Sequence, residues 1–335
     1  MTENPELGIR QMLTGYWTSQ GVYVAAKLGL ADLLADGPQS CEQLAASTGT
    51  HAPSLYRLMR MLASVGVFRE EADRRFVLSP LADCLRSDAP HSQRAVAIMM
   101  GEEHFAAWGR LLHSIRTGQC AFEYAYGQNI FDYLGQHPEQ AQNFDAAMTG
   151  IHGRESQAML DVYDFSGIKC LADVGGGNGS LLISILDRHP QLHGMLFDLE
   201  HVVGRAQARL ADSPSASRCR FVAGSFFEAV AAGADAYLLR HIIHDWDDDR
   251  AALILEHCRR AMPADGRLLV VECVIRPGND FDFGKLLDLN MLVMPGGAER
   301  TEEEYARLFL RAGFELARIV PTRADVSVIE GRVKR

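Results

Sequence analysis

Asp173-Val174-Gly175-Gly176-Gly177-Asn178-Gly179 stands directly between a short apolar run, Cys170 to Val174, and a helical stretch, Gly179 to His189, that Pro190 ends. A strand, a glycine turn and a helix in that order open a parallel α/β sheet. Glycines there let the backbone turn tightly and approach a ligand closely. The nicotinamide fingerprint G-x-G-x-x-G would need glycine at position 180, where Ser180 stands. The observed form is D-x-G-x-G-x-G, which suits a ligand end that carries no phosphate.

Downstream the same alternation continues. Gly194 to Phe197, Arg220 to Val222, Ala236 to Leu239 and Leu268 to Ile275 read as strands, with a helix from about Asp247 to Ala261 before the last. Strands alternating with helices predict a parallel sheet covered on both faces. Thr301-Glu302-Glu303-Glu304 then caps a helix carrying Tyr305, Leu308 and Phe309, which Gly313 ends. Phe314 to Val320 and Val326 to Glu330 form a terminal strand pair, an antiparallel finish to the sheet. Asp198 ends the second strand, 25 residues after Asp173, where a carboxylate can accept both hydroxyls of a ribose. Glycine turn and acid together point to S-adenosylmethionine, whose amino-acid end would lie on the turn. The competing reading is a tight turn with a solvated aspartate.

Upstream, the first hundred residues read as short helices and a hairpin. Val22 to Asp36 is helical and stopped by Gly37-Pro38, and Ser40-Cys41-Glu42-Gln43 has the spacing of a capping box. Leu55, Leu58, Met59 and Leu62 make one apolar helix face. Val67-Phe68 and Arg75 to Leu78 follow as two short strands across a charged turn. Three helices and a β-ribbon make a winged-helix arrangement. From about 101 to 165 the chain is helical, with Phe105, Trp108, Phe144, Met148 and Met159 spaced as core residues. A boundary near residue 100 divides the chain into 1–100 and 101–335.

The 335 residues fit two domains at roughly 150 each. With 47% apolar and 23% charged residues, the composition excludes a disordered chain. The seven cysteines, Cys41, Cys84, Cys120, Cys170, Cys219, Cys258 and Cys273, lie singly, which suits a reducing compartment, the cytoplasm, over a disulfide scaffold. The polar, acidic opening from Met1 to Glu6 does not read as a signal peptide. No apolar run approaches the ~18 residues that span a bilayer, so no membrane is expected. The net charge is −10, and the first hundred residues hold nine basic against ten acidic side chains. A winged helix so poor in positive charge is a weak reader of phosphate backbones, so no nucleic acid is expected either. A DNA-binding regulator stays as an alternative, with Arg57 and Arg60 the basic residues of its reading helix.

After the strand Ala236 to Leu239 comes Arg240-His241-Ile242-Ile243-His244-Asp245-Trp246, followed by Asp247-Asp248-Asp249. Ligands in such sheets sit outside the carboxyl ends of the strands, so this segment should line the pocket. A histidine there can act as a base near neutral pH. Glu272 lies within the apolar run Leu268 to Ile275, where a lone carboxylate is costly to bury and calls for a partner. Glu299, in Gly296-Gly297-Ala298-Glu299-Arg300, is a second acid. Plainer readings compete: His241 as a packing residue, Glu272 in an ion pair at the core's edge, and Asp247 to Asp249 as a negative first helical turn. His241, His244 and Asp245 lack a third well-spaced metal ligand, so no metal is expected.

In these motifs and their order the chain resembles the S-adenosylmethionine-dependent O-methyltransferases of the caffeic-acid type, in particular their bacterial small-molecule, natural-product branch. The resemblance runs through the glycine motif, Phe197-Asp198-Leu199-Glu200-His201-Val202, Gly224-Ser225-Phe226-Phe227, His244-Asp245-Trp246 and Pro295 to Thr301. It implies a Rossmann-like class I methyltransferase sheet with a terminal antiparallel strand, and an N-terminal winged-helix-like domain through which homodimers form. It further implies His244 as general base with Glu272 and Glu299 flanking it, and cofactor contacts at Gly175, Gly177, Asp198, Ser225, Phe226 and Arg240. Met148, Asn290 and Met291 are the implied contacts of an aromatic small-molecule acceptor whose hydroxyl is methylated. Ser225 replaces a common aspartate and Arg240 a common lysine, which keeps the charge but changes its geometry. The alternative within this fold is a relative doing non-methylating chemistry, decarboxylation or hydroxylation, on a polyketide-like ligand.

Overall fold

The computed structural model describes residues 4–334. Met1, Thr2 and Glu3, where the polar opening begins, lie outside the described residues, as does Arg335. The chain forms two compact units: residues 1–109 with 131–153, and residues 110–130 with 154–335.

The first unit is the winged-helix arrangement, with one correction at its start. A single helix runs Pro5–Lys27 rather than beginning at Val22. Asn4 accepts the backbone N–H groups of Glu6 and Leu7, and Pro5 occupies the first helical position, the residue pair that starts a helix most readily. Its apolar residues Leu7, Ile9, Met12, Leu13, Tyr16 and Trp17 are exposed, so no core-facing stripe announces it. Gly29, at φ +66°, separates it from a short helix Leu30–Leu33. The expected capping box of Ser40 and Gln43 opens the helix Cys41–Thr48. In the helix Ala52–Ser64, Leu55, Met59 and Leu62 are buried, packed with Leu44, Phe68 and Phe76. Strands β1 (Gln39–Ser40), β2 (Phe68–Glu70) and β3 (Arg75–Leu78) pair antiparallel in the order β1-β3-β2.

In the second unit the strands are β4 (Cys170–Val174), β5 (His193–Asp198), β6 (Cys219–Ala223), β7 (Ala236–Arg240), β8 (Arg267–Glu272), β9 (Val274–Ile275), β10 (Arg300–Thr301), β11 (Phe314–Pro321) and β12 (Ser327–Val333). Among the described residues seven of them form one sheet in the order β6-β5-β4-β7-β8-β12-β11. The five strands from β6 to β8 are parallel, and β12 enters antiparallel beside β8, with Glu272 opposite Ser327. This is the Rossmann-like sheet with its antiparallel closing pair. Leu171, Leu196, Leu238 and Leu269 fill one face, and Ala172, Met195, Leu239 and Val270 the other, the two-sided burial of a parallel sheet. Asp247 caps the helix Asp248–Ala261 through the N–H groups of Asp249 and Arg250, and Thr301 with Glu304 boxes the helix Glu302–Arg311.

The run Leu268 to Ile275 is not one strand. It breaks at Cys273, and β9 pairs in parallel with β10, Val274 opposite Arg300. The break lets the chain leave the main sheet after Glu272, and the small pairing draws the segment holding Glu299 to that place. Among the described residues no helix is long and apolar enough to cross a membrane, and all seven cysteines are free thiols.

Candidate active site

Four neighbouring strands, β5, β4, β7 and β8, end at one edge of the sheet with Asp198, the glycine turn, Arg240 and Glu272. Strand order reverses between β4 and β7, the place where such sheets bind ligands. Gly175, at φ +70°, donates its N–H to the Phe197 carbonyl at 2.8 Å. A Cβ there would run into the Ile242 side chain, so only glycine lets the turn lie against the histidine-bearing segment. Asp198 accepts the Gly177 N–H on Oδ2 at 2.9 Å and the Leu199 N–H on Oδ1 at 2.7 Å. Burial raises its pKa, and those two backbone donors oppose the rise. Asp173 is buried, which lifts its carboxyl to about 7 against the pull of Arg240. Its Oδ2 has no hydrogen-bond partner among the described residues. Arg240 donates to Ser156 Oγ at 3.0 Å; burial lowers its pKa, and Asp173 and Glu155 counter that.

Gly224 donates to the Asp198 carbonyl at 3.0 Å, which ties the next turn to the same edge. There Ser225 Oγ accepts the Phe227 N–H at 3.3 Å. Phe226 meets Phe227 edge-on, with ring centroids 4.9 Å apart. A glycine cradle, two carboxylates with unused lone pairs and a neighbouring aromatic fit the amino-acid, ribose and base portions of S-adenosylmethionine.

His244 sits in a 3₁₀ turn, Ile243–Asp245, immediately after β7, and is 6% exposed. Its Nδ1 lies 2.5 Å from Glu299 Oε1, and its Nε2 is 3.6 Å from Asp245 Oδ1. Burial by itself would lower the imidazole's pKa; the charges of Glu299 and Asp245 outweigh it and raise the value to about 10. Glu272, fully buried, is placed differently from Glu299. Its Oε1 accepts the N–H groups of Ile242, Ile243 and His244 at 3.2, 2.7 and 3.1 Å, and its Oε2 accepts the Tyr305 hydroxyl at 2.6 Å. Its partners are therefore the backbone of the turn and a tyrosine, not a cation at the core's edge. Burial raises the pKa of Asp245 to about 7.

His241 adopts φ +53°, a conformation that costs a non-glycine residue about 1–3 kcal/mol. Its Nε2 lies 2.8 Å from Glu155 Oε2, and its ring centre is 5.0 Å from that of His244. Burial, then the positive neighbours His244 and Arg240, push its pKa well below the usual value. Glu155 lies 86 residues away in the chain, so no local pattern announces this pair. Asn290 and Met291 lie on the helix Phe283–Val293 of this unit, Met291 buried. Met148 is half-buried in the helix Pro138–Val162, on the part that belongs to the first unit. Arg300 reaches the carbonyls of Ile243 and Trp246 at the histidine turn, and Tyr305 reaches the Glu272 carboxylate that accepts the turn's N–H groups; no local pattern in the sequence marks either residue for that place.

Comparison with known proteins matches the chain to a family. An O-methyltransferase domain model fits residues 108–315, and an O-methyltransferase dimerisation domain model fits residues 10–88. The phenazine O-methyltransferase PhzM of Lysobacter antibioticus is 48% identical over 99% of this chain and 99% of its own. The 8-amino-8-demethylriboflavin N,N-dimethyltransferase of Streptomyces davaonensis is 38% identical over 99% of this chain and 97% of its own. The crystal structure of NcsB1, an O-methyltransferase from neocarzinostatin biosynthesis in complex with S-adenosylmethionine and 2-hydroxy-5-methyl naphthoic acid, gives a TM-score of 0.85 at 34% identity, over 94% of this chain and 96% of that one.

Proposed function

From the premise that the chain belongs to the S-adenosylmethionine-dependent O-methyltransferase family, we propose that it methylates a hydroxyl oxygen of an aromatic natural product, with His244 as the general base. The observation that carries this reading is the 2.5 Å contact of His244 Nδ1 with Glu299, at the sheet edge that also holds the glycine turn. When bound, S-adenosylmethionine supplies a methyl group activated by a sulfonium. Gly175, Gly177 and Asp198 would hold it, with Ser225, Phe226 and Arg240 around them.

A phenol of pKa about 10 is ionised to only about one part in a thousand at pH 7, a deficit of about 4 kcal/mol. An imidazole raised to about 10 matches that proton affinity, so passing the phenolic proton to Nε2 of the unprotonated His244 ring is nearly isoenergetic, although at pH 7 the ring must first release a proton of its own. Glu299 accepts from Nδ1, fixes the tautomer and stabilises the imidazolium that results. Base and acceptor hold one transferable proton between them, and the oxygen is freed to attack. Such a base contributes about 10²–10⁴-fold. Asn290 and Met291 are the proposed acceptor contacts within this unit.

The N,N-dimethyltransferase relative makes methylation of nitrogen the second reading. An amine attacks through its own lone pair and needs no base, so the buried His244–Glu299 pair favours oxygen. Radiolabelled S-adenosylmethionine incubated with paired hydroxy- and aminophenazines separates the two. Label in the hydroxyl product, lost in His244→Ala, supports the proposal; label only in the amine product overturns it. The exposed Met12, Leu13, Tyr16 and Trp17 of the helix Pro5–Lys27, which fall within the residues 10–88 matched by the dimerisation model, support a homodimer formed through residues 1–100, with the catalytic part in 101–335. The free thiols suit the cytoplasm.

A further inference from the structure

We propose that Arg300 is a positioning residue for His244, holding the 3₁₀ turn Ile243–Asp245 by its carbonyls while Glu272 holds the same turn by its N–H groups. A 3₁₀ turn of three residues has little stability of its own, and its buried peptide groups must find partners. Glu272 meets that need on one side with three accepted N–H bonds. Arg300, 2% exposed, meets it on the other. Its Nη1 donates to the carbonyls of Ile243 at 3.2 Å and Ala298 at 3.0 Å, and its Nη2 to the carbonyl of Trp246 at 3.0 Å. Nε and Nη2 also reach Asp248 Oδ1, at 2.9 and 2.8 Å. Every guanidinium nitrogen is engaged, the condition for burying such a charge without a large penalty.

The arrangement is built into the fold. The pairing of β9 with β10 sets Arg300 opposite Val274, two residues after Glu272. The Ala298 N–H donates to the His244 carbonyl at 2.9 Å, and a Cβ on Gly297 would strike that same carbonyl. Glu299, which holds the ring, directly precedes Arg300, which holds the backbone beneath the ring. Movement of one therefore misaligns the other. A lysine in place of Arg300 keeps the charge but cannot span several carbonyls with a planar fork.

The inference rests on the functional reading above, and its test can fail separately. Arg300→Lys and the milder Asp248→Asn are compared with wild type and Glu299→Gln, each saturated with S-adenosylhomocysteine. The far-downfield proton resonance of a short His Nδ1–carboxylate hydrogen bond is followed by NMR, and turnover is read on 1-hydroxyphenazine. Glu299→Gln should abolish the resonance and thereby assign it. Arg300→Lys should fold, bind S-adenosylhomocysteine as wild type does, broaden or shift that resonance, and lose about 10- to 100-fold in kcat with KM little changed, the scale of a misplaced catalytic group. Asp248→Asn should do the same more weakly, and it decides the matter should the lysine variant not fold. A wild-type resonance and kcat with only a lowered melting temperature would make Arg300 merely structural and overturn the inference. Full turnover in His244→Ala would instead overturn the functional reading, while the resonance would still report on positioning.

Discussion

His244 and Glu299 form a buried pair in which Nδ1 of the ring lies 2.5 Å from Oε1 of the carboxylate. This contact leaves Nε2 as the nitrogen that can meet an acceptor, with Asp245 the nearest acid to it at 3.6 Å. Glu272, the other acid of the set, instead holds the peptide groups beneath the ring. The two glutamates thus have different partners: Glu299 meets the ring at Nδ1, and Glu272 meets the peptide N–H groups of the turn and the Tyr305 hydroxyl.

On the proposed reading, removing the ring removes the base but none of the residues that would cradle the cofactor. His244→Ala should bind S-adenosylhomocysteine within about twofold of wild type while single-turnover methylation of a phenol falls by about 10²–10⁴-fold. Calorimetry and rapid quench check the two halves.

The charge of Glu299 is a main reason the imidazole's proton affinity is raised. With His244 at about 10, the free enzyme at neutral pH is mostly imidazolium, and kcat/KM for a neutral phenol should climb about tenfold per pH unit from pH 6 to 9. Glu299→Gln takes that charge away and lets burial dominate, so the rising limb should move to lower pH and the profile flatten near neutrality at a lower maximum. A pH series of kcat/KM for both proteins measures it.

Glu272 supports three N–H groups and a tyrosine hydroxyl, so its loss strands several buried donors. Glu272→Gln should destabilise the fold by about 1–3 kcal/mol, and Tyr305→Phe by about 1 kcal/mol. Urea denaturation of the two variants gives the comparison.

Asp173 is held protonated in the folded state up to about pH 7, whereas an unfolded aspartate releases its proton near 3.9. Between those values the folded state carries the extra proton, so the contribution of this group to stability is full below about pH 4 and falls as the pH rises toward 7. Asp173→Asn should flatten that decline in the cofactor-free protein, read from urea midpoints at a series of pH values.

The exposed residues Leu13 and Trp17 are 67% and 59% accessible in the single chain, an apolar face that a second copy would cover. The double change Leu13→Glu and Trp17→Glu should convert a dimer into a monomer in analytical ultracentrifugation while leaving the single-chain core unaltered.

Elements with a buried face were legible in the sequence. β4, β7 and the helix Asp248–Ala261 lie within a residue or two of their expected positions, because Leu171, Leu239 and Ile254 carry the periodicity of their own burial. The helix from Pro5 was not seen to its start, since its apolar residues face outward and not into the single-chain core. The break at Cys273 is also hidden: Leu268 to Ile275 is apolar but for Glu272, and the separate pairing of Val274 depends on Arg300, 26 positions after it.

The amino-acid order by itself determined the strand–glycine turn–helix unit, the alternation that builds the sheet, and the presence of His244, Glu272 and Glu299 as reactive residue types. These follow from local sterics and from the periodic burial of apolar side chains, which neighbouring residues suffice to express. Only the tertiary structure decided which glutamate meets the ring and which meets the backbone, that Arg300 grips the turn, and that the imidazole's proton affinity is raised and not ordinary. Hydrogen-bond partners and desolvation are set by groups 28 to 57 residues apart in the chain, and such distances close only when the sheet has folded.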